Sequence, residues 1–600
     1  MNKMKGKNAV RITVRAVKIL LSSIAVYYIL DIRIEELFWI IGGIVFIAYC
    51  EMERERMPQE KGKRAKAVFF MVSCYIAVVL VLGLRYYEEV QHSLMEWIVS
   101  FAGLLIFFYE SICYAYNMTS RWKGRAENLK ESWRKKEKSF LSGCTKGRRI
   151  FSVGLVFFLG WLPMLLANYP GFMMYDSSEQ WYQAIGEWNL NNHHPVWHTL
   201  LIKAGVWLSS LIFGEIVPEY GVLIYTLLQM VIMSIIFSVV VEWLYESVHK
   251  SIWIGSILYY LLFPIHSIQG ISMVKDSIFG CFVLLLTAQV YKLYLSHGEW
   301  GKGWKNMLGI TFTMLGIVFF RNNGFAVVLL TGLVLFLFYK NIRKQIFISG
   351  ITVAVCFLLQ NTVIFRAFDI QQTKLAEAIG MPINQIANIV SHDRELTENE
   401  KNLIEAVMPL EEIKEKYNVH YTDSIKFSES YRGYVIEQSK KTYLKLWLTL
   451  LCKYPGDCIE ASLNLTIGFW YPGVSKGAVS LAMEEKDFYL KEIGIETQKL
   501  KLRNKIFDSF MGDDIRESTL FSGFFSIGNF VILIFLLCAF VLVRKGRKAL
   551  SIFLPFIAVW LTLLIATPSY CETRYIYSAF TVIPVYIAGL GNNIYGKKAV

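Results

Sequence analysis

YPGFMMYDSSEQWYQAIGEWNLNNHHPVWH, residues 169–198, lies between two strongly apolar runs, and its reading decides the rest of the chain. It carries two carboxylates three residues apart (Asp176, Glu179) and three histidines within six positions (His193, His194, His198). Trp181, Ala184, Ile185 and Trp188 follow the spacing of one helix face. Asp176, Glu179, Gln180, Gln183 and Glu187 form the opposing polar stripe. That pattern predicts a short helix lying in a membrane interface, tryptophans towards lipid and carboxylates towards a cavity. Asn-Leu-Asn-Asn ends it, and His193-His194-Pro195 leads into the apolar stretch Val196–Phe213.

The surroundings of this segment are mostly membrane. The 600 residues are 54% hydrophobic, 15% aromatic and only 18% charged, with charges in islands between apolar runs. Runs of about 18–22 residues each suffice to cross a hydrocarbon core. The expected fold is an all-α polytopic membrane protein with about 13–15 membrane segments and an outer, mostly helical domain. The net charge of +14 falls between the spans, which marks cytoplasmic loops and argues against a nucleic-acid partner. The bilayer is the expected partner. Ten cysteines show no metal-ligand spacing, and only Cys452, Cys458 and Cys571 fall in segments expected outside the membrane, which leaves a disulfide among them open.

Residues 1–116 read as a four-helix membrane module, with spans at about Ala16–Leu30, Leu37–Cys50, Ala67–Leu84 and Met95–Tyr116. The basic lead before the first span has no small-residue cleavage site after it, so that span is expected to be retained, with the N-terminus inside. Residues 117–149, with eleven Lys/Arg against three Glu, read as a basic cytoplasmic loop. The core, 150–365, carries the outer loop 169–195. Six apolar runs between residues 196 and 339 cannot start outside and end inside at the basic KNIRK (340–344). One must therefore be re-entrant or in-plane, and Val196–Phe213, which contains His198 and Lys203, is the suspect. Residues 366–522 are expected to form an extracytoplasmic domain. Residues 523–600 hold the last membrane helices, with RKGRK (544–548) inside, SYCETRY (569–575) outside and the C-terminus inside.

Asp176 has two readings. D-S-S-E has capping-box spacing, in which Asp176 would accept from the first helix amides. Alternatively, a carboxylate in a partly desolvated cavity can take a proton from an attacking hydroxyl. The histidines suit zinc or manganese together with a carboxylate, although side chains of adjacent histidines are expected to diverge. Lys275 and Asp276 (ISMVKDSIFG), Arg321 (FFRNNGF) and Arg574 (ETRY) interrupt or bound apolar runs. Each alone reads as an anchor; as a set they are cationic contacts for an anionic head group, since arginine's fork suits phosphate oxygens.

With these residues in view, the layout resembles the GT-C superfamily of integral-membrane glycosyltransferases, which includes protein O-mannosyltransferases, aminoarabinose transferases and oligosaccharyltransferase catalytic subunits. The matching pieces are Asp176 and Glu179, HHP at 193–195, KD at 275–276 and RNNG at 321–324. LAEAIGMPINQIANIV (375–390) and YPGDCIEASLNLTIGFWYPG (454–473) resemble an uncharacterised multi-spanning family of Gram-positive bacteria with a GT-C-like core. The resemblance covers residues 150–590, with two departures: the acidic pair is D-x-x-E, and Val196 stands where the superfamily has a second proline. It implies a sugar donor linked to polyprenyl phosphate and an envelope acceptor on the outer face of the cytoplasmic membrane. Asp176 is then the base, or positions the acceptor and a divalent metal (Mn, Mg or Zn) with His193, and Glu179 stands beside it. Lys275, Arg321 and Arg574 would hold the lipid phosphate, and His194, His198, Asp276, Asn322 and Tyr575 complete the expected substrate-binding set. The rival readings are a transporter or flippase of a lipid-linked saccharide and a non-enzymatic envelope scaffold.

Overall fold

The computed structural model describes residues 62–134, 145–245, 247–474, 486–495 and 526–591, with a few single positions before residue 50. The described residues form helices and isolated β-bridges only. Nine of these helices are long and apolar enough to cross a bilayer. A further pair is bent by 50°, and Trp304–Phe320, Gly324–Phe338 and Ser578–Leu590 are shorter apolar helices. The protein is an all-α polytopic membrane protein. Its Leu-, Ile-, Val- and Phe-rich runs become helices because lipid offers their backbone amides no other partner. The first two expected spans fall almost entirely outside the described residues, as do 475–485 and 496–522 of the expected outer domain and 523–525 at the start of the expected C-terminal helices.

Two compact units emerge, 1–145 with 532–546, and 146–531 with 547–600. In the first, α1 (Gly62–Tyr86) packs on α2 (Leu94–Arg134) through Ala77 and Leu104. Tyr75 and Phe69 meet Phe535 and Phe540 at 4.8 and 5.8 Å, so residues 532–546 join the N-terminal module rather than standing with the C-terminal helices. The basic stretch is not a loop throughout. The helix of α2 runs on to Arg134, and Lys146 already opens the next helix.

The second unit is a bundle whose two ends can be told apart by pairing. Helix α3 (Lys146–Ala167) runs beside α6 (Pro218–Tyr245), and Arg149 at the start of α3 grips Glu242 near the end of α6 through contacts of 2.9 and 2.5 Å. That is the far end. Between these helices lie α4 (Tyr175–Ile185) and α5 (Val196–Phe213), both at the opposite, site end. A Cβ on Gly221 would sit 2.7 Å from the Trp181 ring, and one on Gly205 would sit 2.9 Å from Tyr225 Cβ, so α4, α5 and the start of α6 touch closely. Helix α5 is long enough to cross. Yet its first turn follows the site histidines, and its last leads into the same end of α6 that meets Trp181. Both ends of α5 thus adjoin the residues of the site end.

Helix α7 (Lys250–Leu262) breaks at Phe263 before α8 (Pro264–Ile271). Pro264 lacks an amide and keeps Phe263 extended at φ −74°, ψ 114°. The chain then forms a bridge to the site loop, with Phe172 N donating to Ile271 O and Met273 N to Phe172 O, both at 2.9 Å. This bridge sets the start of α9 (Lys275–Leu295), the largely buried helix of the bundle, beside the start of α4. Helices α10 (Trp304–Phe320) and α11 (Gly324–Phe338) follow as a hairpin whose turn, Arg321–Asn323, lies at the site end, and α12 (Arg343–Leu359) returns there.

A helical domain follows, built on Ile383, Ala387, Ile389, Ile404, Leu450 and Cys458. Arg394 clamps Asp457 at 2.9 Å, and Thr397 with Glu400 forms a capping box. Cys452 and Cys458 are free thiols, so no bridge forms among the three cysteines considered above. Backbone bonds join this domain to loop 567–577: Thr422 N to Pro568 O, Tyr570 N to His420 O and Gly468 N to Tyr570 O, at 2.9–3.1 Å. Tyr577 OH, paired with His266 Nδ1 at 2.9 Å, holds the other end of that loop.

Candidate functional site

Asp176 sits in the first turn of α4 but does not cap it. The helix begins at Tyr175, and Ser177 Oγ accepts from Met174 N while donating to Met273 O. The Asp176 carboxylate is thus free to turn to two cations from distant parts of the chain. Its Oδ2 accepts from Lys275 Nζ at 2.5 Å and from Arg574 Nη1 at 2.9 Å, with His194 Nδ1 3.7 Å away. Burial works to raise its pKa, but Arg574, Lys275 and His194 outweigh burial and hold the carboxyl well below the usual range. Two cations on one oxygen leave it badly placed to ligate a metal ion, so the expected metal role of Asp176 does not fit.

Around this centre His194, 5% exposed, bridges two acids. Its Nδ1 lies 3.0 Å from Lys275 Nζ and its Nε2 3.3 Å from Glu179 Oε2. Burial and Lys275 push its pKa down, whereas its contact with Glu179 pulls that carboxyl below the ordinary range. Arg574 is shared: Nε donates to Glu572 Oε2 at 3.2 Å. Burial keeps the Glu572 pKa raised despite that arginine. His193 Nδ1 lies against Glu377 Oε2. The backbone carrying the histidines is held from three sides. Asn192 N donates to Gln371 O at 2.8 Å, Thr373 Oγ1 to Asn192 O at 2.6 Å, and Asn322 Nδ2 to Asn192 O at 3.3 Å.

Asp176, Glu179, His194, Lys275 and Arg574 therefore converge as expected. The other residues are placed differently. Arg321 Nη1 donates to Tyr575 O at 2.7 Å and pairs with fully buried Asp276 at 2.9 Å, with its guanidinium 4.7 Å above the Tyr575 ring. This triad braces the loop behind Arg574 and commits Arg321 Nη1 to Asp276 and the Tyr575 carbonyl. His198 is sealed, with Nδ1 on Gln180 Oε1 and Nε2 on Tyr225 OH, both at 2.7 Å, and a further link to Gln229. It fixes α5 to α4 and α6 and is out of reach of substrate. Asn322 ties turns together. Trp181, expected to face lipid, is buried among Ile202, Val206, Val222 and Tyr225 because α5 covers it. Sequence reading missed Glu572 and Glu377. Glu572 lies two residues before Arg574, a local signal that could have found it, whereas nothing local distinguishes Glu377.

A comparison with protein families matches residues 185–595 to a family of unknown function, DUF6020. The chain belongs to this family. His193, His194, Lys275, Glu377, Glu572 and Arg574 lie within the DUF6020 segment, and Asp176 and Glu179 lie just before it. No curated protein matches the chain. No solved structure matches it.

Proposed function

We propose that this DUF6020 protein is a GT-C-type glycosyltransferase of the cytoplasmic membrane, moving a sugar from a polyprenyl-phosphate donor to an envelope acceptor at the outer face, with both termini inside. The observation that carries the proposal is the Asp176–Lys275–Arg574 cluster at one end of the helical bundle. Lys275 and Arg574, each with 12% side-chain exposure, form a largely buried cationic pair that a lipid phosphate can claim in exchange for Asp176, and they would stabilise it as leaving group. A base needs a pKa near the working pH, and Asp176 paired with two cations is far below it. Asp176 therefore serves as counter-ion in the resting site. It becomes basic enough to accept the acceptor's proton only after phosphate draws the cations away. Glu572, on the other side of Arg574, accepts from its Nε at 3.2 Å and keeps a partner on that arginine while phosphate binds.

The break between α7 and α8 favours one alternative, since transporters place broken helices at their sites. Here, however, the charged cluster lies at helix ends. The test is reconstitution of the full chain in liposomes with a panel of short-chain polyprenyl-phosphate hexoses and a cell-envelope extract as acceptor. Wild-type protein should release polyprenyl phosphate, detected by mass spectrometry, and Lys275→Ala should not. Donor crossing the bilayer intact, with no phosphate released, would favour transport and overturn the enzyme.

A further inference from the structure

Adjacent histidines ordinarily point apart, yet the His193 and His194 rings stand side by side here, centroids 4.5 Å apart at 65°. With Glu179 they form a group in which one ligand atom from each lies within 4.8 Å of the others. His194 Nε2 is buried and makes no aligned hydrogen bond, although Glu179 Oε2 is 3.3 Å away. That separation is already an edge of a tetrahedron around zinc, about 3.4 Å for ligand bonds of about 2.0–2.1 Å. Glu377 lies against His193 Nδ1, so a metal ion would take the lone pair of Nε2 on that ring. A carboxylate on the second nitrogen is the usual support for a metal-bound imidazole. The histidine backbone is already clamped by Gln371, Thr373 and Asn322, so little ordering is required.

We propose that Glu179, His193 and His194 bind one zinc-class divalent cation, with Glu377 orienting His193 and a coordination position left open. Two imidazoles and one carboxylate suit zinc better than magnesium, which prefers oxygen and retains its water. The site couples to the ion cluster through one ring. For His194 Nε2 to ligate, Nδ1 must carry the proton and donate towards Asp176, 3.7 Å away. Lys275, now 3.0 Å from that same nitrogen, then loses an acceptor and becomes more available to an anion.

The proposal stands independently of glycosyl transfer, because its readout is binding. Tag-free full-length protein, stripped with chelator in detergent, is titrated calorimetrically with zinc chloride and, separately, with cobalt chloride while the visible spectrum is followed. Expected are one zinc per chain and the intense visible bands of low-coordinate cobalt. His194→Ala and Glu179→Gln should each lower zinc affinity at least a hundredfold, and Glu377→Gln about tenfold to a hundredfold. Thermal unfolding of each metal-free variant identifies any that fails to fold, in which case the milder Glu377→Gln decides. Absence of stoichiometric binding by wild type, or affinity unchanged in folded variants, overturns the site and leaves the transferase proposal standing.

Discussion

Asp176→Asn tests the ion cluster most sharply, because it should act in opposite directions on stability and on anion binding. Asp176, Lys275 and Arg574 each retain only 12–13% side-chain exposure. Deleting one partner of such a buried pair costs about 3–5 kcal/mol, against about 0–1 for an exposed pair. Asparagine keeps an acceptor oxygen but not the charge, so the lower end applies, about 3 kcal/mol. The same change frees both cations. One regained charge-assisted hydrogen bond is worth about 1.5–3 kcal/mol, so inorganic phosphate should bind roughly tenfold more tightly or better. Thermal unfolding in detergent, with and without a phosphate series, reads both effects. Lys401→Met, which removes an exposed pair at 43% and 84% exposure, serves as the small-effect reference, under about 1 kcal/mol. If Asp176→Asn unfolds like wild type and phosphate stabilises the two equally, the cations do not depend on Asp176 and the exchange scheme is wrong.

Arg321→Met should destabilise by about 3–5 kcal/mol, since it strands fully buried Asp276, and unfolding measurements should show the loss even without phosphate. His198→Phe should lower stability by about 2 kcal/mol by leaving Gln180 Oε1 without its imidazole partner and taking one of two bonds from Tyr225 OH, while donor affinity per folded molecule stays unchanged; a selective loss of donor binding would return His198 to the site. Glu572 sets a pH slope. Its pKa is raised in the folded protein, so between the ordinary carboxylate range and that raised value the folded state binds more protons than the unfolded one. Stability therefore falls as pH rises through this window. Glu572→Gln should flatten the slope, and unfolding temperature against pH reads it.

The helices were legible because hydropathy is local. Convergence of the site was only partly legible. Asp176 meets Lys275 across 99 residues and Arg574 across 398, and only their shared position at span ends hinted at a common pocket. Chemistry that depends on side-chain direction was not legible. Trp181 and Trp188 share one face of the expected helix, yet α5 folds over the first and leaves the second exposed. The pairing of His193 with Glu377 depends on how the helical domain seats on loop 190–195, and no periodicity encodes that. Arg321 looked like a phosphate ligand because a charge in apolar sequence is costly. The same cost is met by Asp276, which starts the neighbouring helix.

The most direct measurement is an experimental structure of the full chain in nanodiscs with a polyprenyl phosphate bound. The phosphate oxygens should lie within hydrogen-bond distance of Lys275 Nζ and the Arg574 guanidinium, with Asp176 no longer sharing both cations. A phosphate seated elsewhere, with Lys275 and Arg574 still on Asp176, would contradict the central claim that an anionic lipid head group takes over this ion cluster.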